Sequence, residues 1–407
     1  MTSPYERLAS VEAAALLAAL AGFTEAQAPA AAALARKLAD AELAGAALAT
    51  TFARRRAVAA RKFTRAREMF FTRDGYQQCS SEAVARHRGT RFGAYRRVAD
   101  LCCGVGGDTL GIAASLSGDA RVDALDLDAD ALACARHNAD VYGVAGKAVF
   151  HSGDALGWPL GAYHAAFADP ARRSGSARVT KATEYRPPLA HVLARAGELP
   201  GRALAVKIAP GLRVSDDALR AASGAPVELE YVSERGECKE AVVWCGDLAR
   251  FDGARRATVI AADGPHMLDA APAQVAPLTK LRRWLGEPDP AVIRSGLIAA
   301  ACERVAASLL DRQLAYCTAD QAAPTPFVRW FEVQETLPFG VKRLRALLRA
   351  AGIGELIVKT RAFPLRPEQI VALLKPRGDM RAVLVCATIG GTKTAIVCRA
   401  PQEALPT

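Results

Sequence analysis

The sequence predicts an α/β protein with a parallel, doubly wound sheet, an N-terminal helical region and a C-terminal α+β region. Apolar, strand-like runs alternate with alanine-rich helical stretches from residue 98 to about residue 251. A glycine-rich turn follows the first of these strands, and an acidic residue follows each of the next three. Ligands of such sheets bind beyond the carboxyl ends of the strands, which is where these residues fall.

The first strand of the predicted sheet leads into the glycine-rich turn. Val98 to Leu101 form an apolar run that contains Asp100, and three glycines follow closely, Gly104, Gly106 and Gly107. Glycine permits backbone conformations that a Cβ would forbid, so the turn can approach a ligand closely. The spacing is neither G-x-G-x-x-G nor a phosphate loop that ends in Gly-Lys-Ser/Thr. The turn therefore predicts a nucleotide cradle and disfavours a dehydrogenase or a triphosphate site.

Acidic residues end the next three strands in order. The second strand ends at Asp126, where a carboxylate suits the two hydroxyls of a ribose. The third is followed by a Gly-Asp turn whose acid, Asp154, is well placed to hydrogen-bond an adenine amino group. The fourth leads into Asp169-Pro170-Ala171-Arg172-Arg173.

These four segments in this order resemble the class I S-adenosylmethionine-dependent methyltransferases. The resemblance implies a Rossmann-like class I methyltransferase sheet with S-adenosyl-L-methionine as cofactor. The residues expected to bind that cofactor are Asp100, Gly104, Gly106, Gly107, Asp126 and Asp154.

The stretch from Asp100 to about Asp154 also resembles the methyltransferase domain of trimethylguanosine synthase. That family methylates the exocyclic amine of a guanine in RNA, and it stacks an aromatic residue that follows its Pro-Pro on the base. This chain has Ala171-Arg172 at that point instead. The resemblance therefore predicts use of the cofactor better than it predicts the target base.

The whole chain resembles a bacterial group of methyltransferases that carry a THUMP-like domain at the C-terminus. The matching segments begin at Met69, Asp169 and Leu374. The expected domains are a helical region (1–95), a methyltransferase domain (96–252), and a linker with a THUMP-like α+β domain (253–407). THUMP domains accompany RNA-modifying enzymes, so the resemblance implies an RNA partner, either transfer or ribosomal RNA.

The predicted reaction is methylation of a base nitrogen in RNA, with an exocyclic amine favoured. By analogy, Asp169 and the Pro170 carbonyl accept hydrogen bonds from the amine and aim its lone pair at the methyl group. Arg172 stands where the family has its aromatic, and a guanidinium plane can stack on a base or hold a phosphate. Phe71, Arg173 and Lys207 are the predicted substrate contacts, although core packing is the simpler interpretation of Phe71.

Two alternatives stay open at this level. Asp-Pro-Ala-Arg also resembles the fourth-strand motif of RNA 5-methyluridine methyltransferases, which attack the pyrimidine ring with a cysteine that follows the fifth strand. This chain reads Lys207-Ile208-Ala209-Pro210 there, with no cysteine. The second alternative is an RNA-binding protein that binds S-adenosylmethionine without turnover.

Bulk composition fits a soluble protein with an anionic partner. The 407 residues include 53 Lys and Arg against 42 Asp and Glu, a formal net charge of +11, which favours nucleic acid. No apolar stretch reaches the roughly 20 residues of a membrane span, so no membrane partner and a cytoplasmic location are expected. The 10 cysteines form no Cys-x-x-Cys pair, so reduced thiols and no metal are expected.

The flanking regions yield three further predictions. Residues from about 10 to 68 are predicted helical, with Arg54, Arg61 and Arg65 near one face that contacts RNA. Ser80-Ser81-Glu82 predict the start of a further helix. Residues 265 to 290, rich in Pro, Asp and Ala, are predicted to bridge two domains.

Overall fold

The computed structural model of the chain describes residues 2–172, 184–270 and 276–400. The chain divides into two compact units. The first contains residues 1–230 and 240–254, and the second contains residues 231–239 and 255–407. Among the described residues, no helix is both long enough and apolar enough to cross a membrane.

Six helices precede the first strand: α1 Pro4–Arg7, α2 Val11–Leu20, α3 Ala28–Leu38, α4 Ala41–Ala59, α5 Gly75–Gln78 and α6 Glu82–Gly89. Four of them begin at a side-chain cap, because Ser3, Ser10, Asp40 and Ser81 each accept a backbone N–H from the first turn. The predicted helix start at Ser80-Ser81-Glu82 is confirmed. Small alanine side chains let these helices pack closely around one apolar cluster that also contains Phe70 and Phe71.

The parallel sheet of the first unit confirms the predicted fold class. Its strands lie in the order β8-β9-β7-β4-β1-β2-β3, and the pairings among β1, β2, β3, β4 and β7 are parallel. A separate antiparallel pair, β5 with β6, follows β4. The strands are β1 Arg97–Leu101, β2 Arg121–Asp126, β3 Ala148–Ser152, β4 Ala165–Ala168, β5 Ala171–Arg172, β6 Tyr185–Arg186, β7 Leu204–Ile208, β8 Val227–Glu234 and β9 Glu237–Cys245. The helices between them are α7 Gly107–Ser115, α8 Ala129–Val141, α9 Leu189–Ala194 and α10 Asp216–Ser223.

Strand register brings the ends of the parallel strands to one edge. Leu101 pairs with Leu125 on one side and with Ala168 on the other. Ala168 pairs in turn with Val206, so the residues that follow these two, Asp169 and Lys207, are neighbours. The glycine-rich turn and the acidic strand ends therefore share one edge of the sheet.

Helices α6 and α7 touch through their backbones. A Cβ on Gly89 would lie 2.1 Å from the carbonyl oxygen of Gly111, and a Cβ on Gly111 would lie 2.2 Å from the carbonyl oxygen of Ala85. Only glycine fits at either position. This close contact brings Arg88 of α6 against Asp108, the second residue of α7.

The second unit contains an antiparallel pair, β10 with β11, and a seven-stranded sheet in the order β13-β14-β12-β15-β18-β17-β16. Alternation along β17 explains the two cores of that sheet, because Val383 belongs to one apolar cluster and Leu384 to the other. The strands are β10 Arg255–Ala261, β11 Gly264–Ala270, β12 Trp284–Pro288, β13 Ser308–Leu309, β14 Cys317–Ala319, β15 Val328–Pro338, β16 Ile353–Arg361, β17 Met380–Ile389 and β18 Thr392–Arg399. The helices are α11 Pro290–Ser295, α12 Ile298–Arg304, α13 Val341–Ala350 and α14 Pro367–Leu374.

Two predictions about the flanking regions are wrong in detail. Helix α4 ends at Ala59, and Arg61 has a left-handed backbone with φ of 47°, so Arg54, Arg61 and Arg65 do not share one helix face. The predicted bridge contains strands β11 and β12. The Asp263-Gly264 dipeptide, a strong hairpin signal, could have revealed β11.

Candidate active site

The glycine-rich turn leaves the end of β1 in an unusual backbone conformation. Cys102, Gly104 and Gly106 have φ values of 79°, 53° and 85°. The N–H groups of Cys102 and Cys103 both donate to the Leu125 carbonyl, at 2.9 and 2.8 Å, and so bind the turn to β2. A Cβ on Gly104 would meet nothing within 4 Å, so space is open above the turn. A Cβ on Gly106 would lie 3.1 Å from that of Ala135 in α8, so this glycine permits the close approach of the helix.

Asp126 links the end of β2 to the turn. Its Oδ2 accepts the N–H of Gly104 at 2.8 Å, and its Oδ1 accepts the N–H of Asp128 at 2.9 Å. These two bonds fix the carboxylate at the mouth of the turn while the residue stays half-exposed. The next side chain, Leu127, is 73% exposed and presents an apolar surface beside the carboxylate.

Asp154 lies at the adjacent strand end. Its Oδ1 accepts the N–H of Leu156 at 3.1 Å, and the residue is exposed. The preceding Gly153 donates its N–H to the Asp126 carbonyl at 3.2 Å. The ends of β2 and β3 therefore carry two accessible carboxylates on neighbouring strands.

Asp100 is fully buried beneath the turn. Its Oδ2 accepts the hydroxyl of Thr109 at 2.6 Å, while its Oδ1 has no hydrogen-bond partner within the described parts of the chain. Burial, with the nearby Asp108 carboxylate, raises the pKa of Asp100 to about 8. An unpartnered, buried polar atom next to an open turn is typical of a site built for a polar ligand.

Asp169 forms an ion pair with Lys207 at the ends of β4 and β7. Lys207 is 7% exposed, whereas 24% of the Asp169 side chain reaches solvent. Burial raises the pKa of Asp169, although Lys207 opposes the rise. Burial alone would lower the pKa of Lys207, but the carboxylates of Asp169 and Asp108 raise it above its usual value. The pair therefore keeps one partly accessible carboxylate in a fixed position.

A buried charge network extends from Lys207 into the protein. Arg88 pairs with Asp108 and, at 2.9 Å, with Glu240, and it donates to Ser80 Oγ at 3.0 Å. Lys207 donates to the same hydroxyl at 3.2 Å and lies 4.0 Å from Asp108. With Asp169, the network contains three carboxylates and two cations. Its only member with substantial exposure is Asp169.

The N-terminal region is bound directly to the glycine-rich turn. Asn138 of α8 is fully buried; its Oδ1 accepts the N–H of Phe70 at 2.8 Å, and its Nδ2 donates to the carbonyls of Phe70 and Val105, both at 3.0 Å. Phe71 is fully buried between the rings of Phe63 and Tyr76. The structure therefore places Phe71 in the helical core and not at the predicted site.

Comparison with curated proteins identifies the family. Over 336 residues the chain is 33% identical to an uncharacterized S-adenosylmethionine-dependent methyltransferase of Mycobacterium tuberculosis strain H37Rv, covering 82% of this chain and 89% of the relative. Its counterpart in M. tuberculosis strain CDC 1551 matches equally well. This chain belongs to the S-adenosylmethionine-dependent methyltransferases.

Two family models match parts of this methyltransferase. The model for RNA cap guanine-N2 methyltransferases matches residues 95–183, and the model for THUMP domain-like sequences matches residues 328–400. A solved structure of a candidate methyltransferase from Porphyromonas gingivalis W83 has the same fold, with a TM-score of 0.70 and 20% identity over 93% of this chain and all of that one.

The site of this methyltransferase fits its cofactor. The open turn at Gly104, the unpartnered Oδ1 of Asp100 and the accessible carboxylate of Asp126 provide polar atoms around an accessible space. The described residues contain no group of three or more His, Cys, Asp or Glu side chains that could hold a metal ion.

The structure brings most of the predicted site residues to one sheet edge. Gly107 starts α7, and Pro170 is buried next to Asp169. Arg172 lies in β5, where it pairs with Tyr185 of β6. Tyr185 fixes that pair to the end of β7, because its hydroxyl accepts the N–H of Ala209 at 2.7 Å. Arg173 lies outside the described residues.

Sequence reasoning missed the buried charged residues around Lys207. Arg88, Asp108 and Glu240 are far apart along the chain and belong to no motif, yet they surround Lys207. The one signal was Asp108 itself, a carboxylate within the first turn of a largely buried helix. Lys207, predicted to contact substrate, instead has its ammonium group bound to Asp169 and Ser80.

Proposed function

We propose that this methyltransferase methylates a base nitrogen of RNA, with an exocyclic amine as the favoured acceptor. The ion-paired Asp169, partly exposed at the sheet edge that carries the glycine-rich turn, is the observation that carries the proposal. The matches to an RNA cap guanine-N2 methyltransferase model and to a THUMP-like model support RNA as the substrate class.

Bound S-adenosylmethionine supplies the electrophilic methyl group. In the proposal, Asp126 accepts hydrogen bonds from the ribose hydroxyls and Asp154 accepts one from the adenine amine. Leu127 provides an apolar surface for the adenine ring. Gly104, Gly106 and Gly107 keep the turn free of side chains where the cofactor approaches, and Asp100 anchors the turn from below.

The acceptor nitrogen is oriented by Asp169 and the Pro170 carbonyl, which accept its N–H bonds. Alignment of the nitrogen lone pair with the methyl group is the main requirement of this displacement, since little covalent chemistry is needed. The new N–C bond would form as the methyl–sulfur bond of the cofactor breaks, which leaves S-adenosylhomocysteine. The nitrogen loses one proton, and in the proposal the Asp169 carboxylate receives it. Lys207 holds that carboxylate in position. Arg172 and Arg173 contact the base or its phosphate.

The cysteines around the turn favour nitrogen over pyrimidine carbon as the acceptor. Carbon methylation needs a thiolate to attack the ring. Burial raises the pKa of Cys79, Cys102 and Cys103, which keeps these thiols protonated. Cys79 also donates its thiol proton to the Tyr76 carbonyl at 3.3 Å. These four observations describe unactivated thiols.

Nucleoside mass spectrometry tests the proposal. Transfer and ribosomal RNA from a deletion strain, its parent, and strains complemented with wild type or Asp169→Ala are digested separately. We expect one N-methylated nucleoside to disappear on deletion and to return only with wild type. A missing C-methylated pyrimidine would indicate the carbon chemistry, and unchanged RNA with intact cofactor binding would indicate a protein without RNA turnover.

A further inference from the structure

We propose that a basic cavity between α2 and α4 binds the sugar-phosphate backbone of the RNA substrate. The inference rests on the proposed function in one respect, namely that the substrate is RNA. The cavity has a volume of about 610 Å³ and lies within the first unit. We call it the arginine cavity, after the four side chains that line it, Arg54, Arg55, Arg56 and Arg67.

The arginine cavity carries an excess of positive charge. Glu25 is the one acidic residue in its lining, and it is already ion-paired with Arg56. Within the described part of the chain, Arg55 makes no ion pair, and its hydrogen bond is a long one of 3.4 Å to the Ala21 carbonyl. Arg67 is exposed and has no protein partner there. Two guanidinium groups are therefore available, and this group matches phosphate oxygens in a bidentate geometry.

Arg54 forms the inner wall of the cavity. It donates to the backbone carbonyls of Met69 and Glu68 at 2.7 and 3.0 Å, and it lies 5.3 Å from the ring centre of Phe70. The Glu68 carboxylate pairs with Arg65 instead. Burial lowers the pKa of Arg54 to about 10. The one carboxylate that acts on this half-buried cation, Glu68, is already engaged by Arg65, so a bound phosphate would complete the balance of its charge.

The lining distinguishes RNA backbone from a simple ion site. Apolar side chains, among them Leu17 and Val58, form part of the lining beside the arginines. A ribose can pack on such a surface while its phosphates reach the guanidinium groups. The volume is also far larger than a single phosphate needs. An extended polyanion whose sugars offer C–H faces for packing is the ligand that this combination fits.

The arginine cavity is joined to the cofactor turn by a short chain of contacts. Arg54 binds the Met69 carbonyl, the backbone of the next residue, Phe70, is held by Asn138, and Asn138 binds the Val105 carbonyl within the turn. RNA bound in the cavity is therefore anchored to the same rigid elements that position the cofactor. The cavity would set the position of the RNA relative to the active site.

RNA binding by variants that each remove arginine charge tests the inference. The full-length protein is titrated against a fluorescein-labelled 20-nucleotide oligouridylate and against bulk transfer RNA, at several salt concentrations. The variants are Arg55→Gln, Arg67→Gln and the double variant, with Arg36→Gln as the control. Arg36 is an exposed arginine on α3 outside the cavity. Affinity for S-adenosylhomocysteine and the melting temperature show that each variant is folded.

We expect the double variant to bind RNA about tenfold more weakly at 0.1 M salt. The slope of log affinity against log salt concentration should also be smaller in magnitude by about 1.4, since each lost phosphate contact on a single strand removes about 0.7. The control should bind like wild type. Equal binding by wild type, control and double variant would overturn the cavity assignment and leave the proposed function intact. If wild type binds neither RNA, both the cavity assignment and the proposed function are overturned. If a 20-residue polyglutamate competes as well as the oligouridylate, the partner of the cavity is an acidic protein and not RNA.

Discussion

The ammonium group of Lys207 lies against Oδ2 of Asp169 because these residues directly follow Val206 and Ala168, a pair in register on neighbouring parallel strands. The strand register therefore sets the geometry of the ion pair. Lys207 is almost fully buried and contacts Ser80 as well, so it has little freedom to reach a substrate phosphate. Its effect on the reaction would come through the carboxylate.

Lys207→Met should impair turnover without weakening cofactor binding. We expect kcat to fall about 100-fold, as for loss of a preorganised charge, with calorimetric affinity for S-adenosylhomocysteine unchanged. Because Lys207 lowers the pKa of Asp169, its removal should also move the acidic limb of the pH–kcat profile to higher pH. Lys37→Met, on an exposed position of α3, is the control. An unmoved acidic limb would contradict the positioning role.

Asp126→Ala should weaken S-adenosylhomocysteine binding by about 1–3 kcal/mol, or roughly 5- to 150-fold, through loss of charge-assisted hydrogen bonds. The same change releases the N–H of Gly104, so the turn loses its bond to β2 at this point. Isothermal calorimetry measures the affinity. Asp119→Ala removes an exposed carboxylate that precedes β2, at the opposite end of that strand from Asp126, and should bind like wild type. Equal affinities for the two variants would count against Asp126 as the ribose ligand.

Gly106→Ala should destabilise the protein and weaken cofactor binding together. An alanine there would have to keep a φ of 85°, and its Cβ would lie 3.1 Å from that of Ala135, so the turn and α8 must separate. We expect a loss of about 1–3 kcal/mol in urea unfolding. Gly143→Ala is the matched control, because its φ is also positive at 68° but its Cβ would meet nothing within 4 Å. The control should lose stability but retain cofactor affinity.

The order of motifs along the chain was enough to predict the fold class. Strand-end acids and turn glycines follow local rules, so the sequence also predicted that Asp100, Gly104 and Asp126 lie at one sheet edge. The rest of the charge network was not predicted, because Arg88 and Glu240 join it through the contact of α6 with α7 and the pairing of β7 with β9. Phe71 shows the same limit. An aromatic residue that precedes the methyltransferase domain could belong to the core or to a ligand pocket, and only its neighbours in the structure decide between them.

Asn138→Ala should destabilise the junction between the N-terminal region and the turn. The substitution leaves the Phe70 backbone and the Val105 carbonyl without their side-chain partner in a buried position, which costs about 2–4 kcal/mol. Urea unfolding measures the loss. Asp140→Ala, on the exposed face of the same helix, should change stability by less than about 0.5 kcal/mol. A loss for Asn138→Ala no larger than that of the control would show that the junction is held by other contacts.

Asp100→Asn should make stability less dependent on pH. The folded-state pKa of Asp100 is about 8, above the usual 3.8, so the folded protein binds a proton there that the unfolded chain has lost. Its contribution to stability is therefore full below about pH 4 and is lost progressively as the pH rises to about 8, with a limiting slope of about 1.4 kcal/mol per pH unit for one group. Asparagine keeps the shape and does not titrate. We expect the difference in unfolding free energy between variant and wild type to favour the variant increasingly from pH 5 to pH 8. A difference that stays constant over this interval, measured in urea at matched ionic strength, would show that Asp100 is ionised in the folded protein.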